Sequence, residues 1–210
     1  YGVMAIENSI AGSIIPNYSL IDKNDLSIIG EHYININHNL MVYPGIKLND
    51  VKFISSHPMA LLQCKDFIKN AKKTIVEDRD TADVAKRIIE NKIIDTAAIA
   101  SSQASELYGL EIIEKNIQTI KDNETRFVII SKKSNKGNKL DVNKASLKFI
   151  LSHENGSLAQ ILNILADYNQ NLTKIQSIPI IETPWKYSFF VDLTFKNYNN
   201  YKKAIYEVSK

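Results

Sequence analysis

The sequence predicts an α/β protein of two domains. Strands alternate with helices over residues 1–131, which implies a largely parallel sheet. A hydrophilic stretch at 132–144, with five lysines among asparagines and one glycine, then reads as a linker. After it, residues 145–210 follow a βαββα order, one strand short of a ferredoxin-like βαββαβ unit. The 210 residues are 44% hydrophobic, enough to bury a core. A net charge of +3 is too small to point to nucleic acid or a membrane surface. No apolar run approaches the ~20 residues that cross a bilayer. Cys64 is the one cysteine, so no disulfide framework and no cysteine-rich metal site is expected, and a reducing compartment fits best.

The elements follow from local pattern. Val3 to Ile6 is a strand that breaks at Glu7-Asn8-Ser9. A helix is expected from Ile14 to Asp22, with Pro16 in its first turn, where proline is tolerated. Alternation marks strands at Leu26 to Asn35 and Leu40 to Tyr43, and Pro44-Gly45 is a turn. Val51 to Ser55 is a short apolar strand. From Pro58 to Asn70, the apolar residues Leu61, Leu62, Phe67 and Ile68 recur at helical spacing. Thr74 to Val76 is a strand, and Thr81 to Glu90 a helix capped by Asp80 or Thr81. Thr96 to Ile99 is a strand, Ser101 to Tyr108 a helix closed by Gly109, and Thr125 to Ser131 a strand. Beyond the linker come a strand at Ser146 to Ser152, a helix at Leu158 to Tyr168, strands at Leu172 to Ile180 and Tyr187 to Phe195, and a helix at Asn199 to Val208. The chain opens in a strand without a starting Met and closes on a helix, so it reads as a fragment.

Three segments place polar side chains at the ends of strands, where open α/β sheets bind ligands. Glu7-Asn8-Ser9 offers a carboxylate, an amide and a hydroxyl, though Ser9 taken alone is a helix cap. Ser56-His57-Pro58 repeats the arrangement before the next helix. Gln63 lies two helical turns after Ser56 and returns near the same face. The free amides of that helix start favour an anion. Thr125-Arg126-Phe127 opens a strand, so alternation sends Thr125 and Phe127 to one side and Arg126 to the other. His32, His38, His57 and His153 are scattered, without metal-ligand spacing, and read as solvated or packed.

Taken together and in order, ENSIAGSI (7–14), SHPMALLQC (56–64), DTA (80–82), LYGL (107–110) and NETRFVII (123–130) resemble prephenate dehydratase. ENGSLAQIL (154–162) and LTKIQSIP (172–179) resemble the ACT regulatory domain that follows in that family. The resemblance implies a two-lobed, mainly parallel-sheet catalytic domain, periplasmic-binding-protein-like, with the site between the lobes, followed by the ACT domain. It implies a cytoplasmic homodimer or homotetramer that converts prephenate to phenylpyruvate, CO2 and water without cofactor or metal. Asn8, Ser56, Gln63 and Thr125 match family site residues, and Glu7 and His57 stand beside them as candidate proton sources. Ser9, His57, Thr81, Arg126 and Phe127 are expected at the substrate. Phenylalanine, the implied effector, is expected at Asn155, Gly156, Ser157 and Leu158, with Gln176 and Ser177.

Three departures accompany the resemblance. The first part of the family's catalytic region lies outside this chain. Met59 replaces a glutamine, and Gln176-Ser177-Ile178-Pro179 stands where the family has Glu-Ser-Arg-Pro, losing a charge pair. Two other readings share the pattern: dehydration of arogenate instead of prephenate, and a two-lobed ligand sensor without catalysis.

Overall fold

The computed structural model describes residues 1–132, 142–151, 154–180, 183 and 185–210. The strands are β1 (Gly2–Asn8), β2 (Gly12–Ser13), β3 (Ser27–Asn35), β4 (Asn39–Val42), β5 (Phe53–Ser56), β6 (Thr74–Glu77), β7 (Thr96–Ala100), β8 (Glu111–Glu114), β9 (Glu124–Ser131), β10 (Lys144–Ile150), β11 (Asn171–Pro179) and β12 (Tyr187–Thr194). The helices are α1 (Ile15–Lys23), α2 (Pro58–Gln63), α3 (Lys65–Ala71), α4 (Thr81–Glu90), α5 (Ser102–Tyr108), α6 (Ser157–Asp167) and α7 (Tyr198–Val208). Most of the expected linker, His153 and the end of the strand expected to reach Ser152 lie outside the described residues.

Two compact units form. One holds Tyr1–Met4, Ile15–Glu31 and Val128–Lys210, and the other holds Ala5–Ile14 and His32–Phe127. The division passes through β1, β3 and β9, which with β2 form a sheet of order β2-β1-β9-β3.

The unit containing His32–Phe127 is built on a five-stranded sheet of order β6-β5-β7-β4-β8. Its core is parallel: β5 pairs in parallel with both β6 and β7. β4 is antiparallel to both β7 and β8. Because strand side chains alternate, β4 and β7 feed two cores at once. Leu40, Val42, Ala97 and Ile99 pack against α2 and α3 through Ala60, Leu61, Cys64 and Ile68. Met41, Ala98 and Ala100 pack on the other face against Val84, Ala85 and Ile88 of α4 and Ala104 of α5.

The helix expected from Pro58 to Asn70 is two helices. Cys64 leaves helical geometry (φ −105, ψ 20), ends α2 and begins α3. It is fully buried, and burial pushes its thiol pKa up to about 12, so it is a packing group and not a nucleophile. The break frees the carbonyl of Gln63, which accepts from the Thr119 N–H at 2.8 Å. β8 and the two-residue β2 were not anticipated. β8 follows the LYGL turn at the sheet edge and, among the described residues, pairs with β4 alone.

In the unit containing Val128–Lys210, β10, β12 and β11 form an antiparallel sheet with β12 central. Leu165, Val191, Leu193 and Ala204 form its core beneath α6 and α7. The opposite face holds α1. Tyr18 meets Phe190 edge-on at 5.2 Å between centroids, and Lys148 donates to both Asp22 carboxylate oxygens at 2.7 Å. Lys144 grips Glu31 at 2.7 and 2.8 Å. These ion pairs are partly exposed and contribute at most about 1 kcal/mol each. The aromatic contact and the burial of Tyr18 and Ile21 carry more of this packing.

The helix α4 starts where the cap predicts. Asp80 Oδ1 accepts from the N–H groups of Ala82 (2.8 Å) and Asp83 (2.9 Å). Asp80→Ala is expected to lower unfolding stability by about 1 kcal/mol, read as a shifted urea midpoint with an unchanged slope.

Candidate active site

The site begins with a turn. β1 and β2 pair antiparallel, with Asn8 opposite Gly12, so the chain reverses over three residues. Asn8 holds that reversal by an Asx-type turn: its Oδ1 accepts from the backbone N–H of Ile10 at 3.0 Å and of Ala11 at 2.9 Å. Gly12 closes the turn at φ +80, a conformation that disfavours other residues.

Those two donors decide which end of the Asn8 amide is oxygen. Its Nδ2 therefore faces the start of β9, where it donates to Asn123 Oδ1 (2.7 Å) and shares its second hydrogen between the Glu124 carbonyl and Thr125 Oγ1, both at 3.1 Å. Asn123, committed as acceptor at one end, donates from Nδ2 to Gln63 Oε1 at 3.0 Å. His38 Nε2 lies 2.8 Å from that same oxygen. An amide oxygen only accepts, so the His38 proton is on Nε2. Burial lowers the His38 pKa, opposed in part by the bond to Gln63, so the ring is neutral at neutral pH.

Asn8, Asn123 and His38 are buried, while Thr125 and Gln63 are half-buried. Two groups keep a donor that this chain of bonds does not use. Thr125 Oγ1 accepts from Asn8, so its own O–H is free to donate, and acceptance of a bond strengthens it as a donor. Gln63, half-buried and with its oxygen engaged twice, keeps its NH2 as the end of the amide that this set of bonds does not use.

The structure thus brings Asn8, Thr125 and Gln63 together. Other expected residues stand apart from this cluster. Ser56 is fully buried, and its hydroxyl donates to the Ile99 carbonyl at 2.6 Å, tying β5 to β7 instead of facing outward beside Gln63. Glu7 and Arg126 are each one residue from Asn8 and Thr125 and so lie on the other sheet face, where Arg126 Nη1 approaches Glu7 Oε2 at 3.9 Å. Glu7 therefore does not share a sheet face with Thr125, and buried Arg126 lies on the Glu7 side of the strand. His57 caps α2, with Nδ1 accepting from the Met59 N–H at 3.1 Å. Ser9 does not cap α1. Its hydroxyl oxygen accepts from the Glu124 N–H at 2.9 Å and pins the turn to β9. Thr81 begins α4, and Phe127 is half-buried on the Thr125 side of β9.

Sequence reasoning missed Asn123 and His38. Asn123 sits inside the NETRF segment, which was the available signal. His38 follows a strand with nothing local to set it apart.

In the other unit, a cavity of about 210 Å³ is lined by Asn155, Ser157, Leu158, Trp185, Tyr187 and Phe189, among others. Gly156 precedes α6 at φ +87 as its N-cap, and Ser157 Oγ donates to the Glu154 carbonyl at 2.9 Å. Gln176 and Ser177 do not line this cavity: Gln176 Nε2 donates to the Ser177 carbonyl at 2.9 Å along β11. Trp185, absent from the expected set, holds a positive φ of 69 at the cavity, a strained conformation for a bulky residue.

Comparison with known proteins bears on this arrangement. The chain is 37% identical over 194 residues to the bifunctional chorismate mutase/prephenate dehydratase of Buchnera aphidicola subsp. Acyrthosiphon pisum, covering 92% of this chain and 50% of that protein. It is 36% identical over 211 residues to the prephenate dehydratase of Methanocaldococcus jannaschii, covering all of this chain and 75% of the relative. The crystal structure of a prephenate dehydratase from Arthrobacter aurescens in complex with L-Phe superposes with a TM-score of 0.85 at 26% identity, over 98% of this chain and 70% of that one. The chain thus spans about half the length of the first curated relatives it matches. With the prephenate dehydratase family model matching residues 1–135, this chain belongs to the prephenate dehydratase family.

Proposed function

We propose that this chain carries the acid-independent half of a dehydratase site: a set of fixed hydrogen-bond donors that turns prephenate into phenylpyruvate, CO2 and water. The observation that supports it is the pair of outward donors, the Thr125 hydroxyl and the Gln63 NH2, held by one continuous set of bonds from Asn8.

Prephenate is a dianion with a carboxylate and, across the ring, a hydroxyl. In the reaction the ring–carboxylate bond breaks, its electron pair flows into the ring, and the bond to the hydroxyl oxygen breaks. One proton is taken up from solvent, so the departing oxygen leaves as water, and the fixed donors stabilise that oxygen without themselves supplying the proton. Aromatisation supplies the driving force, and the barrier lies in expelling a poor leaving group. A donor aimed at the departing oxygen gains strength as negative charge develops there, which is stabilisation confined to the transition state. Thr125 serves that oxygen. Gln63 holds an acceptor on the substrate and fixes the ring relative to Thr125.

The same reading assigns phenylalanine to the cavity at Asn155, Ser157, Leu158 and Trp185. The amides at the start of α6 meet its carboxylate, and Trp185 and Phe189 meet its ring. It also takes the protein as a cytoplasmic homodimer or homotetramer.

In the full-length protein, Thr125→Ser is expected to keep turnover within roughly ten-fold, while Thr125→Val loses roughly 10²- to 10³-fold in kcat, the scale of one lost transition-state donor. Phenylpyruvate absorbance follows the reaction directly, and a Val variant with near-normal turnover removes the hydroxyl from the mechanism. For the effector, titration with phenylalanine should change the emission of Trp185, the single tryptophan of this chain, and Trp185→Phe should abolish that change. A flat titration of the unsubstituted protein takes phenylalanine out of this cavity.

A further inference from the structure

We propose that His38 and Asn123 are positioning residues that lock the Gln63 amide with its oxygen inward and its NH2 outward, so that the substrate group at Gln63 must be an acceptor, a carboxylate or ketone oxygen, and not an ammonium. The inference rests on the reading of Gln63 as a substrate contact.

An amide side chain is symmetric in shape and can turn over at little steric cost. Its chemistry reverses when it does: a donor becomes an acceptor. At Gln63 turning over is opposed first by Asn123, whose Nδ2 points a hydrogen at the Oε1 position, so an NH2 placed there would face a fixed donor. His38 Nε2 lies 2.8 Å from the same position, and in its Nε2–H tautomer it adds a second donor that a turned amide could meet only if the ring changed tautomer. Asn123 cannot reverse to accommodate it, because Asn8 Nδ2 donates to its oxygen and Asn8 is fixed by two backbone N–H groups.

The backbones on either side are equally fixed. Three consecutive residues brace them. Ile117 N–H donates to the His38 carbonyl at 2.8 Å, Gln118 Oε1 accepts from the His38 N–H at 3.0 Å, and Thr119 N–H donates to the Gln63 carbonyl at 2.8 Å. Gln118 is itself buried and held by Asn37 at 3.1 Å. A buried histidine, two buried asparagines and a bracing segment thus converge on the orientation of one half-exposed amide.

The test uses the full-length protein. Nitrogen-15 NMR of the His38 ring is expected to show the Nε2–H tautomer. In Asn123→Asp, a substitution of the same shape that removes the donor, Gln63 turns over to give its NH2 inward and His38 switches to the Nδ1–H tautomer. His38→Leu is expected to lower kcat/KM for prephenate roughly ten- to a hundred-fold, chiefly through KM, the scale of one hydrogen bond lost from a site. His38→Gln, which keeps an N–H within reach of Gln63, is expected to restore most of it. Thermal melts separate these effects from unfolding, and if His38→Leu does not fold, the tautomer measurement on the other two proteins decides alone. An Nδ1–H tautomer in the unsubstituted protein, or full activity in folded His38→Leu or Asn123→Asp, overturns the inference. Full activity in Gln63→Ala overturns instead the underlying reading of Gln63, so the two failures are distinguishable.

Discussion

Two backbone N–H groups, those of Ile10 and Ala11, set the direction of every hydrogen bond in the candidate site. They fix the oxygen of Asn8, and from there each amide has one remaining choice: Asn8 donates to Asn123, Asn123 donates to Gln63, and His38 must donate to Gln63 as well. Buried amides demand partners at both ends, so one reversal would leave donors facing donors along the whole series. The polarity seen at Thr125 and Gln63 is the far end of a constraint imposed by a tight turn at the end of β1.

The scaffold serves that series by interrupting regular structure where it must. α2 ends at Gln63, and the carbonyl released there takes a loop donor in place of a helical one. The loop that supplies it also holds the backbone of His38. Beneath them, β4 and β7 are buried on both faces, so His38, one residue before β4, leads into a strand anchored by two cores and not one. Ser56 belongs to this framework: its hydroxyl joins neighbouring strands and is satisfied by the protein itself. In the other unit, the three-stranded sheet uses its helix-covered face for its core and its second face to hold α1.

Much of the fold was legible because its signals are local. Asp80 before an apolar-periodic run marks α4 to the residue, and Gly109 ends α5 in the left-handed conformation that a helix stop requires. The βαββα order of the last segment is visible in periodicity alone. The break at Cys64 was not, because Leu61 and Ile68 keep helical spacing across it and the carbonyl it frees finds its partner far along the chain. β2 escaped notice because two residues carry no periodicity, and β8 because it is a short edge strand defined by its partner.

The candidate site divides along the same line. Asn8, Gln63 and Thr125 stand in recognisable motifs, and strand alternation already separates Thr125 from Arg126. What local sequence could not supply is the partner of each side chain. Whether Ser56 faces outward or bonds to Ile99, whether Glu7 shares a face with Thr125, and whether His38 is idle or clamps an amide are settled only when distant segments meet. Residue type fixes which bonds a side chain can make, and periodicity fixes where helices and strands run. Hydrogen-bond direction is a property of the closed set of partners, and only the tertiary structure closes that set.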